Sequence, residues 1–157
     1  KEGKTMRGLA FLVLACSVLA CGGGKDDLTP YVKKLVELEH YVKTLQQYKV
    51  YLTTEGMTNK ANDTEQIIVG LIDELEAYPE IDNKHVRALH NKLKRTLKGS
   101  LRKMVEPDFP TFVPNAQRVI DLVEERMEIT YAQLDKLWKQ AEMTEPFPLS
   151  LDTGKDE

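Results

Sequence analysis

Residues 115–143, NAQRVIDLVEERMEITYAQLDKLWKQAEM, decide the fold. Ala116, Ile120, Val123, Met127, Thr130, Leu134, Leu137 and Ala141 recur in alternating steps of four and three. That spacing lines one face of a helix and leaves the remainder polar. Tyr131 and Trp138 flank the seam. A helix of this length with so narrow an apolar stripe cannot stand alone in water, so partner helices must cover it.

Those partners lie upstream. Residues 106–114, EPDFPTFVP, hold three prolines and read as a stiff, extended loop. Phe109, Phe112 and Val113 are expected to fold back over one end of the helices. Before the loop, a helix is predicted over residues 83–105 with Asp82 as its N-cap. Val86, Leu89, Leu93, Leu97, Leu101 and Met104 form its apolar face. A shorter helix is predicted over 63–78, opened by Asn62 and Glu65 in a capping-box arrangement and ended by Pro79. Ile67, Ile68, Leu71, Ile72 and Leu75 form its stripe. Residues 58–62 read as a polar loop. The first helix of the set is predicted over 30–55, with Thr29 as N-cap, Pro30 at the first helical position and Gly56 as stop. Its seam is Tyr31, Leu35, Leu38, Val42, Leu45, Lys49 and Leu52. The connections are short to moderate. The expectation is an all-α fold: an antiparallel up-down four-helix bundle after an N-terminal signal helix. Heptad seams of this kind also suit a helical homo-oligomer.

The N-terminal stretch is of another kind. Residues 6–21, MRGLAFLVLACSVLAC, combine Arg7 with an apolar run too short to span a bilayer, which needs roughly 20 residues. Such a run suits the core of an export signal. Val18-Leu19-Ala20 before Cys21 resembles the lipobox of bacterial lipoproteins. The resemblance covers about the first 24 residues. It implies cleavage before Cys21 and lipid on the Cys21 thiol. Val13-Leu14-Ala15-Cys16 is a second such box, but cleavage there leaves about seven apolar residues, at the short limit for a signal. Cys21 is therefore the expected lipidation site and Met6 the expected start. Gly22, Gly23 and Gly24 followed by Lys25-Asp26-Asp27 read as a flexible tether. The Lys-acid-acid triplet also resembles the short signal that sends lipoproteins of the Bacteroidota to the cell surface. The expected organisation is a signal peptide at 1–20, a lipidated cysteine and tether at 21–28, a bundle at 29–143 and a tail at 144–157, disordered at its acidic end.

Removing residues 1–20 leaves 137 of the 157 residues, enough for one domain with a real core. With Lys1, Glu2, Lys4 and Arg7 gone, 19 basic and 24 acidic residues remain, a net charge of −5. That balance argues against nucleic acid as a partner. Cys16 leaves with the signal and Cys21 is acylated, so no disulfide is available and packing must hold the domain.

Chemistry-bearing constellations are sparse. Glu37-x-x-His40 has the spacing of di-iron bundles, but a register that turns Leu35 and Leu38 inward turns this pair outward. Asp82-x-x-His85 lies at a helix start. His85 and His90 are five apart and do not share a face. His90 is expected at the edge of the apolar stripe. No Cys-x-x-Cys-His signals haem, so no metal or other cofactor is expected. Ser100 and Ser150, the mature serines, have no glycine-framed nucleophile turn, so no catalytic activity is expected. Tyr31, Tyr41, Tyr48 and Tyr51 give the first helix a tyrosine-rich side, read as edging the core.

One feature carries functional content. Between Asp82 and Glu106 there is no acidic residue and there are eight Lys and Arg. Arg87, Lys94, Arg95, Lys98 and Arg102 form the candidate face for an anionic partner. The competing reading is internal: residues 63–82 carry seven acidic side chains and no basic one, so the two helices could neutralise each other. Polar residues at interior seam positions would mark a ligand- or metal-binding bundle for sensing or transport, and Thr130 and Lys49 are the clear cases. The expected function is a lipid-anchored binding or scaffold module of the bacterial cell envelope. Its membrane contact is the anchor, its partner an envelope protein, and its expected place the outer membrane, on the periplasmic or surface face.

Overall fold

A computed structural model describes residues 24–54, 59–104 and 112–150. Cys16, Cys21, Gly22, Gly23 and Phe109 lie outside the described residues, as do the side chains of Phe112 and Val113. Four helices follow in order: α1 (Gly24–Thr54), α2 (Asn59–Glu76), α3 (Lys84–Met104) and α4 (Phe112–Gln140). Each packs against its neighbour in sequence, and α4 closes back onto α1. The result is a four-helix bundle. No described helix is long and apolar enough to cross a membrane.

The helix starts correct the sequence reading. Residues 24–28, read as tether, are the first turn of α1. Thr29 and Pro30 are therefore inside the helix and neither caps nor opens it. Pro30 removes one backbone bond to the preceding turn. Burial offsets that loss: Leu28 is 1 % exposed and continues the heptad of Leu35 and Val42. The Asp27 carboxylate also accepts the backbone N–H of Asn83 at 2.6 Å, which ties the start of α1 to the start of α3.

In α2 the helix begins at Asn59, so Asn62 and Glu65 lie within it and do not form the expected cap. Ala61 and Thr64 are buried and extend the stripe of Ile68, Leu71 and Leu75 backwards. The Thr64 hydroxyl donates to the Lys60 carbonyl at 2.7 Å, so its polar atom is satisfied within its own helix. At Gly70 the Tyr41 ring of α1 packs close to the α2 backbone. A Cβ there would stand 3.0 Å from the Tyr41 ring. In α3 the N-cap is Asn83 and not Asp82: its side-chain oxygen accepts from the N–H of His85 at 2.9 Å and of Val86 at 3.2 Å.

α4 starts three residues earlier than predicted, at Phe112 instead of residue 115, so part of the proline-rich segment is helical. Pro114 is tolerated there because the first turn needs no N–H donor. Its buried face is the expected one, with Trp138 deeper than Leu137. Beyond Gln140, Glu142 N–H bonds the Lys139 carbonyl and Met143 N–H bonds that of Trp138. Glu142 has φ 51°. This is a Schellman ending, with glutamate at the left-handed position that favours glycine.

The chain then turns back over α4. The Trp138 indole N–H donates to the Glu145 carbonyl at 2.7 Å. Phe147 meets Trp138 edge-on at 5.9 Å, and Leu149 is buried. The bundle unit therefore runs to at least Leu149, and the start of the expected tail is part of the core.

Ion pairs mark which levels meet. Lys34 near the start of α1 bonds Glu74 near the end of α2 at 2.7 Å. Lys60 near the start of α2 lies over the Tyr48 ring, late in α1, at 4.9 Å. Lys49, also late in α1, bonds Asp121 at 2.6 Å and Glu124 at 2.8 Å, both early in α4.

Candidate functional site

The basic face of α3 follows from helix geometry. Val86, Leu93, Leu97 and Met104 are buried, with Leu89 and Leu101 half-buried. At 100° per residue, Lys84, Arg95 and Arg102 fall on the opposite side and form an outward ridge. Ala88, Asn91 and Gly99 occupy the positions between them. Arg87, Lys94 and Lys98 flank the ridge on the side of α2, and Lys92 and Lys103 on the other. Arg87, Arg95, Lys98 and Arg102 are exposed and Lys94 is half-buried. The structure thus gathers all five candidate residues on one continuous face.

The internal neutralisation expected between α2 and α3 is realised once, in the ion pair of Lys98 with Glu76. Lys94 stands near enough to help hold the Glu76 carboxyl low, behind the larger effect of Lys98. The other paired acids of α2 turn elsewhere: Glu74 to Lys34 of α1, and Asp63 to Lys60 of its own helix. Among the described residues, Arg87, Arg95 and Arg102 form no ion pair. One half-exposed pair contributes at most about 1 kcal/mol. The charge of this face is left to solvent.

A second grouping was not legible in sequence. Tyr31, Tyr78 and His90 form an aromatic cluster near the start of α3, with ring centroids 5.4, 5.5 and 5.9 Å apart. His90 is 5 % exposed, and not at the edge of the stripe as expected. Burial lowers its pKa to about 4, with a smaller push from Lys94. Burial likewise pushes the hydroxyls of Tyr31 and Tyr131 far up. Tyr31 Oη, Tyr131 Oη and His90 Nδ1 are buried without a hydrogen-bond partner. The helical period placed His90 near the stripe, but which neighbours cover its edge depends on tertiary packing.

A third feature is an open cleft of about 400 Å³ between α4 and the returning chain, lined by Glu128, Tyr131, Asp135, Phe147 and Leu149 among others. Asp135 is already engaged by Lys139 at 2.7 Å.

The remaining candidates are placed as follows. Glu37 and His40 are exposed on α1, and His40 Nδ1 donates to the Glu37 carbonyl. Asp82 and His85 are exposed. Among the described residues, no three His, Cys, Asp or Glu side chains gather as a metal site. Thr130 is satisfied by the Arg126 carbonyl at 2.8 Å, and Lys49 by its two carboxylates on α4. The Ser100 hydroxyl donates to the Thr96 carbonyl. Of the tyrosine side of α1, Tyr31 is core, Tyr41 and Tyr48 are half-buried, and Tyr51 is exposed. No family model, curated protein or solved structure matches this chain.

Proposed function

We propose that the chain is a bacterial cell-envelope lipoprotein, held by lipid on Cys21, whose bundle is a non-catalytic binding or scaffold module. The observation that supports it best is the α3 face, where one of eight cations is taken by an internal ion pair. A solvated basic surface on a chain of net negative charge is a local feature that a partner can read. The pairings of α1 with α2 and with α4 join early residues to late ones, which supports an antiparallel up-down order. The same order sets α3 diagonally across from α1.

The test is charge reversal. Arg87→Glu, Arg95→Glu and Arg102→Glu together should abolish partner capture from envelope extract and leave the melting temperature in place. Unchanged capture would remove α3 from the account. Reversal of Lys94, Arg95 and Lys98 should weaken capture as well, and its Lys98 component should also lower stability, through Glu76.

A second reading is a ligand-binding bundle for sensing or transport. It draws on the unpartnered Tyr31 Oη, Tyr131 Oη and His90 Nδ1. Buried polar atoms without partners are costly and call for an occupant. Native mass spectrometry showing a stoichiometric small ligand would favour it.

A further inference from the structure

We infer that the α3 face takes a linear polyanion. The inference rests on the reading of α3 as the binding surface and narrows what binds there.

The argument is the composition of the face. The exposed large apolar side chains among the described residues are Val36, Val50, Tyr51 and Val69, all on α1 and α2. The α3 ridge has none. Protein interfaces are anchored by buried aromatic or apolar side chains, with charge on the rim. A ridge of Lys84, Arg95 and Arg102 spaced by Ala88, Asn91 and Gly99 offers no such anchor. A Cβ added at Gly99 would meet nothing within 4 Å, and Lys84, Ala88, Asn91, Arg95 and Arg102 are exposed. From Lys84 to Lys103 the cations cover about 28 Å of helix axis. This matches a chain that carries negative charge at short intervals and gains from release of its counterions.

The experiment uses lipidated full chain reconstituted into vesicles of neutral lipid and of neutral lipid with about one-third phosphatidylglycerol. Fluorescent polyphosphate and polygalacturonate are the probes, and they separate phosphate from carboxylate recognition. Both vesicle types should capture a probe equally. The logarithm of the binding constant should fall by about 3–5 per tenfold rise in salt, as for four to six neutralised anions. Arg95→Glu with Arg102→Glu should weaken capture at least tenfold, whereas Lys136→Glu on the exposed side of α4 should not. Absence of probe binding, with envelope-protein capture that still needs α3, would overturn the polyanion and keep the module. Capture on neutral but not anionic vesicles would show the face occupied by lipid headgroups and overturn the polyanion. If charge reversal changes neither probe nor protein capture, the reading of α3 itself fails.

Discussion

Two side chains stand in conformations or surroundings that cost stability. Glu142 adopts φ 51° in the Schellman turn after α4. A left-handed non-glycine residue costs about 1–2 kcal/mol, and glycine returns part of that gain as chain entropy. Glu142→Gly should therefore stabilise the protein by about 0.5–1 kcal/mol in urea denaturation. His90 is held neutral, with its pKa lowered to about 4 by burial beside Tyr31 and Tyr78. The unfolded chain binds a proton on this residue near pH 6.5, before the folded one does. Its contribution is thus complete above pH 6.5, lost as pH falls from there to about 4, and constant below. The loss should be roughly 2–3 kcal/mol. His90→Phe should remove that share of the acid sensitivity. If the variant keeps the full slope between pH 6.5 and 4, His90 is not its source.

At the scale of elements, the apolar seams of α3 and α4 were legible because their period is unbroken, and so was the basic face opposite the α3 seam. What was missed lies at the ends. Leu28 belongs to the heptad of Leu35 and Val42, but glycine and aspartate before it read as linker. Ala61 and Thr64 continue the α2 stripe without looking apolar. Phe147 and Leu149 alternate with Pro146, Pro148 and Ser150, a pattern of an extended segment with one covered side that the prolines disguised. Which of the α2 acids would reach α3 was beyond sequence, because Lys34 of α1 competes for Glu74 only once the helices are assembled. The returned segment gives a direct test. Leu149→Ala should cost about 2 kcal/mol, at the low end for buried leucine truncation. A free tail would show no change.

For the whole molecule, a core shared by four helices and the returning chain must be stable without any covalent staple, since both cysteines of the chain, Cys16 and Cys21, precede the bundle. With residues 24–28 helical, three peptide units separate the proposed lipidation site at Cys21 from the start of α1. The central claim is the anchor, and radiolabelled palmitate incorporation in a bacterial host tests it most directly. The account predicts label in the wild type and in Cys16→Ala, and none in Cys21→Ala. Label that persists in Cys21→Ala, or is absent from the wild type, would contradict it.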